Sequence, residues 1–136
     1  MTDREILFRG RRLDGGGWAY GVPFINEYVA FIIEDLFKCD EYECTGVYGS
    51  YIIPESLSKF TGFIDKNGVK IFEGDIIKNG WGMLRTVEFQ NGCWLACNDN
   101  YSYDKWCYLS TIVAEYEVIG NIHDNPELLR KEDLGK

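Results

Sequence analysis

Three Asn-Gly dipeptides, Asn67-Gly68, Asn79-Gly80 and Asn91-Gly92, recur every twelve residues, and the runs between them are rich in Ile, Val, Phe and Trp. This spacing reads as an antiparallel meander. A type I′ turn needs positive φ at both central residues, which Asn tolerates and Gly adopts freely. The middle of the chain is therefore expected to be a small, tightly turned sheet.

A chain of 136 residues is long enough to bury one core without disulfide staples. Its apolar share of 46% and its 3 prolines mark a folded globular chain, ordered except for its last few residues. The expected organisation is an N-terminal β subdomain over residues 1–54, carrying an acidic loop, and a small barrel over residues 55–136. Fourteen basic against 22 acidic side chains leave a net charge of −8, which opposes attraction to a phosphate backbone or an anionic membrane. The charges are unevenly spread. Arg4, Arg9, Arg11 and Arg12 form a basic arm, whereas Glu34, Asp35, Asp40, Glu41 and Glu43 cluster later. Solvated faces are the simpler reading; the sharper one brings the arm of one copy to the acidic loop of another.

The segment Glu5 to Arg9, closed by Gly10, and Trp18 to Val22 read as two strands joined through Gly15-Gly16-Gly17. Tyr28 to Ile33 is assigned to a strand for its β-branched density, Glu34 to Thr45 to an exposed loop, and Val47 to Ile53 to a strand ended by Pro54. Pro54-Glu55-Ser56-Leu57 has the proline and acid of a first helical turn. Val69 to Phe72, Ile76 to Lys78, Met83 to Gln90, Cys93 to Cys97, Trp106 to Val113 and Tyr116 to Ile119 supply the later strands. Asn125-Pro126-Glu127 starts a short terminal helix with an N-cap, a proline and an early acid. Short strands of this kind solve their edge problem by curling, so a five-stranded, SH3-like barrel is expected in the second half.

With these segments placed, the chain resembles the YopX family of phage and prophage proteins. The resemblance rests on Ile6-Leu7-Phe8-Arg9-Gly10, Trp18-Ala19-Tyr20-Gly21, Pro54-Glu55-Ser56-Leu57 and Phe60 through Gly68. It continues in Ile71 through Ile77, Glu117 through Ile122 and Asn125 through Leu129. It implies an all-β, homo-oligomeric protein with an SH3-like barrel, made by a bacteriophage or an integrated prophage. No activity comes with it.

Chemistry is weakly signalled. Cys39, Cys44, Cys93, Cys97 and Cys107 are an odd number with no secretory signal before them, and read as free thiols in a reducing bacterial cytoplasm. Cys93 and Cys97 would stand roughly 13 Å apart along one strand, too far to share a tetrahedral ion. The acidic loop lacks the glycine and terminal Glu of a calcium loop. His123 is the only imidazole and the only ready general base; in the resembled family an aromatic commonly stands there, which makes His123 a packing replacement. Asp75, in the bend Glu73-Gly74-Asp75, is read as a turn brace rather than half of an acid–base pair. Neither a metal nor a cofactor is expected, and no run of apolar residues approaches a membrane span.

The expectation is thus a non-enzymatic, self-associating module that binds a phage or host protein. Trp18, Tyr20, Phe60, Thr61, Asp65, Lys66, Trp81 and Trp94 are its candidate rim or interface. The alternative is an oligomeric nucleic-acid binder using the arm Arg4, Arg9, Arg11 and Arg12 beside the barrel aromatics.

Overall fold

The computed structural model describes residues 5–38 and 45–129. They fall into two compact units, Met1–Phe60 and Thr61–Lys136, and the protein is mainly β, with two antiparallel sheets.

In the first unit, β1 (Phe8–Arg11), β2 (Trp18–Ile25), β3 (Ala30–Lys38) and β4 (Thr45–Tyr51) lie in the order β4-β3-β2-β1, followed by β5 (Ser58–Ile64), which pairs with β1. A 3₁₀ turn over Pro54–Ser56 precedes β5. The buried core is small: Ala19, Ile32 and Ile52, with Phe8, Ala30 and Leu57 packed against them. Gly10 belongs to the same side, where a Cβ would press into the Ile52 side chain.

β5 runs through the division between the units, and its later residues neighbour β6 (Lys70–Phe72). The second unit continues with β7 (Asp75–Asn79), β8 (Leu84–Gln90), β9 (Cys93–Cys97), β10 (Trp106–Tyr108), a helical turn α1 (Leu109–Ile112) and β11 (Tyr116–Asn121). Its five-stranded sheet has the order β10-β9-β8-β7-β11. Ile71, Ile77, Val87, Ala96, Leu109 and Tyr116 form the core beneath it. At about 1.5–3 kcal/mol for each large apolar side chain removed from water, this is the larger store of hydrophobic stabilisation. No closed barrel is found among the described residues, where β10 and β11 end the sheet.

The turns depart from the Asn-Gly expectation. Only Asn91-Gly92 has positive φ at both residues, at 52° and 78°, as a type I′ hairpin requires. At Asn67-Gly68 only the glycine does; the turn is closed by Asp65, whose Oδ1 accepts the N–H groups of Asn67 and Val69. The turn after β7 repeats this device, with its positive-φ glycine two residues later than Gly80. Asn79 Oδ1 accepts the N–H groups of Trp81 and Met83, and Gly82 supplies the positive φ of 84°. A leading Asx side chain has replaced the I′ geometry, because its oxygen can close such a turn by itself.

Three other boundaries differ. The expected loop from Glu34 is strand as far as Lys38, since β3 pairs with β4 from Asp35↔Tyr48 to Lys38↔Thr45 beyond a bulge at Glu34. Acidic residues are tolerated there because a bulge lets one side chain leave the alternation. The strand expected to reach Val113 stops at Tyr108, and α1 turns the fully buried Leu109 into the core. The expected terminal helix is a single 3₁₀ turn, Pro126–Leu129.

Candidate functional site

β2 alternates large with small side chains. Trp18, Tyr20, Val22 and Phe24 project to one side, and Ala19, Gly21 and Pro23 to the other. The pairings Val22↔Ile33, Phe24↔Phe31 and Phe31↔Tyr51 carry the first side across β3 and β4. Five of its members are half open to water: Tyr20 at 45%, Val22 at 54%, Phe24 at 56%, Val47 at 54% and Tyr51 at 60%. Phe31 meets the Tyr51 ring edge-on at 5.1 Å. A hollow of about 310 Å³ lies between Phe24, Val29, Phe31, Ile33, Val47 and Tyr51. None of these residues is charged or bears a carboxamide.

This face depends on two glycines beside β3. A Cβ on Gly21 would collide with the carbonyl oxygen of Ile33, and one on Gly49 with that of Ile32. Behind the bulge, Glu34 is drawn to Arg12: its Oε1 pairs with Arg12 Nη2, and its Oε2 accepts from Ser50 Oγ at 3.1 Å. Arg12 Nε also donates to Ser50 Oγ at 3.2 Å. Arm and acid thus meet within a single chain.

The other arm residues are likewise engaged. Arg9 is buried, with its guanidinium 4.5 Å from the centroid of the Trp18 ring, and Arg11 lies 5.6 Å from the same ring. Trp18 is half-buried and has both cations near its ring. Arg4 lies outside the described residues, as do Cys39, Asp40, Glu41, Glu43 and Cys44.

The remaining candidates part company. Phe60, Thr61 and Asp65 are buried, which removes them from any solvent-facing rim. Thr61 Oγ1 donates to Ile71 O at 2.8 Å and accepts from Phe63 N. Asp65 binds a third N–H, that of Val118 at 2.9 Å, through Oδ2. Burial pushes its carboxyl up, but the N–H groups of Val118, Val69 and Asn67 and the Lys66 charge outweigh it and hold the pKa below 3.8. Lys66 is exposed and donates its backbone N–H to Tyr116 O. Trp81 is 90% exposed at a turn, whereas Trp94 packs on the core and meets Phe89 at 4.8 Å. Asp75 is buried and accepts the N–H of Phe72 at 2.8 Å.

Phe24, Phe31, Ile33, Val47 and Tyr51 stand outside the expected rim. The signal for Phe24 is the alternation of large residues with Ala, Gly and Pro in Trp18 to Phe24, which marks a strand whose bulky side points away from a thin core; the others join it through strand pairing.

The second unit has a cleft of about 530 Å³. Its lining among the described residues includes the carboxylates Glu73, Glu88 and Asp99 together with Phe89, Ile122 and Leu129, and no Lys or Arg. Cys97 also lines it, and burial, then the charges of Glu88 and Asp99, push its thiol up to about 11. The thiol is therefore a poor nucleophile at neutral pH. His123 is exposed on the turn after β11, where its N–H donates to Asn121 Oδ1. Among the described residues no three His, Cys, Asp or Glu stand close enough to hold a metal ion, and no helix is long and apolar enough to cross a membrane.

These features define a two-sheet β protein with a half-exposed apolar face and an acidic cleft. The family model described as YopX protein matches residues 27–130, and the chain belongs to the YopX family. Its fold is similar to that in the crystal structure of protein EF1440 from Enterococcus faecalis, with a TM-score of 0.66 and 24% identity over 94% of this chain and 100% of that one. None of the curated proteins matches the chain.

Proposed function

We propose that the chain is a non-enzymatic phage or prophage accessory protein of the bacterial cytoplasm, an interaction module that self-associates and binds a phage or host protein. The observation that carries this reading is the uncharged apolar face of β2, β3 and β4. Five half-exposed side chains at roughly 100 Å² each give ~500 Å², at the upper end of what a monomer usually exposes in one patch. Apposing two such faces removes ~1,000 Å² from these side chains alone, which reaches the size of a specific interface. Its half-exposed members carry no charge and need no complementary partner charge, so a second copy fits them by two-fold sheet-on-sheet packing despite the net charge of −8.

The finer reading of the second unit as an SH3-like barrel belongs to the same proposal. Its support is the strand order, in which β11 returns to pair with the first strand of the meander, β7. Size-exclusion chromatography with light scattering tests self-association. The expected result is a defined multiple of 15.7 kDa that falls to one chain in Phe24→Asp, and a monomeric parent protein overturns it. Excess absorbance at 260 nm, lost at high salt, would instead favour the nucleic-acid reading.

A further inference from the structure

Among the described residues, the charge in the second unit's cleft has no counterpart within its own lining. Glu73 comes from the bend before β7, Glu88 from β8 and Asp99 from the turn after β9, so three separate segments deliver carboxylates to one concavity. Glu88 Oε1 accepts from Gln90 Nε2 at 2.6 Å, an uncharged donor. Neither Glu73 nor Asp99 has a side-chain hydrogen bond or ion pair among the described residues. The negative field is felt locally, because it helps to raise the neighbouring Cys97 thiol.

The walls are held in place before any ligand arrives. The Gly74 N–H donates to Val87 O at 2.8 Å, and its carbonyl accepts from Ile122 N at 2.9 Å. A Cβ at Gly74 would stand against the Ile122 side chain, so the bend is packed as well as bonded. On the opposite wall, Asn98 donates to Leu84 O and accepts the N–H of Asn100, both at 2.9 Å. Preformed walls lower the ordering cost of binding. Phe89 and Ile122 are still 51% and 39% exposed beside these acids. An inorganic cation would leave that apolar surface wet, and an anionic or purely apolar ligand would leave the carboxylates unmatched.

We infer that this cleft is the docking site for the partner protein, and that it takes a basic-apolar peptide segment, with Lys or Arg on Glu73, Glu88 and Asp99 and a neighbouring aliphatic side chain on Phe89 and Ile122. This rests on the interaction-module reading but uses a different surface from self-association. One face would then serve a second copy and the cleft a partner of opposite charge.

The test is an NMR titration of the full chain with acetyl-Leu-Lys-Leu-Lys-Leu-amide, with its Glu-for-Lys counterpart and with calcium chloride. The Lys peptide is expected to shift the amides of Gly74, Glu88 and Asn100, to bind about tenfold more weakly in Glu73→Gln/Asp99→Asn, and to weaken with salt. The Glu peptide is expected to do nothing. Equal response to both peptides, no response to either, or a response to calcium alone would each overturn the assignment. Light scattering on the same double variant separates the two readings: an unchanged mass with lost peptide binding leaves self-association standing, and a monomeric parent that still binds the Lys peptide removes self-association alone.

Discussion

The second unit's core cluster joins six buried side chains under a five-stranded sheet, whereas the first unit's joins three, Ala19, Ile32 and Ile52, and the bulky side of β2, β3 and β4 is left half open. The same strand chemistry serves different ends in the two. Where large side chains alternate with polar ones, as in Thr86-Val87-Glu88, the large side turns inward and stabilises the fold. Where they alternate with Ala, Gly and Pro, as in β2, the small side is what packs, and the large side is available for association.

That contrast can be broken most forcefully by Ile77→Ala. Ile77 is fully buried, so its truncation is expected to cost about 2–5 kcal/mol in urea unfolding. Phe24→Ala, measured at a concentration where the chain is monomeric, is expected to cost less than about 1 kcal/mol. Equal losses would mean that the open face is part of a core.

Gly49→Ala sharpens the comparison from the other side. The new methyl group meets the Ile32 carbonyl rather than a movable side chain, so a loss of about 1–3 kcal/mol is expected, together with a lower associated mass. Retained stability would show that β3 and β4 can separate without cost.

A third prediction concerns pH. The folded-state pKa of Asp65 lies below its ordinary value of 3.8. The unfolded chain therefore binds this proton first, and the contribution of Asp65 is complete above the unfolded pKa and lost as pH falls through the folded one. Urea midpoints of the parent protein should drop below about pH 4, and those of Asp65→Asn should start lower and drop less. Parallel curves would remove Asp65 as the clamp on the turn before β6.

The smallest expected effect is kinetic. Iodoacetamide at pH 8 should alkylate the half-exposed Cys93 before Cys97, whose thiol burial and Glu88 push up to about 11. Mass spectrometry of the labelled peptides gives the order, and faster reaction at Cys97 would mean that the cleft is not as negative as its lining implies.

Asn91-Gly92 shows how local chemistry can suffice: both residues accept positive φ, and the hairpin forms there. Asn67 and Asn79 show where it fails, because an Asx side-chain oxygen, that of Asp65 ahead of the first pair and that of Asn79 itself in the second, closes the turn instead. Glu34 and Leu109 teach the same lesson. An acid reads as loop until a bulge and Arg12 receive it, and a leucine in a strand-like run reads as strand until the core needs it at a turn.

Strand-rich composition determined the β class from the sequence alone, because strand preference is carried by each residue, and the ordered motifs from Ile6 to Leu129 carried the family resemblance. Which side of β2 is left open, that Phe60, Thr61 and Asp65 are buried, and that Glu73, Glu88 and Asp99 line one cleft were decided only by tertiary structure. Those facts depend on what lies across from each side chain, and residues far apart in the chain become neighbours only once the strands have paired.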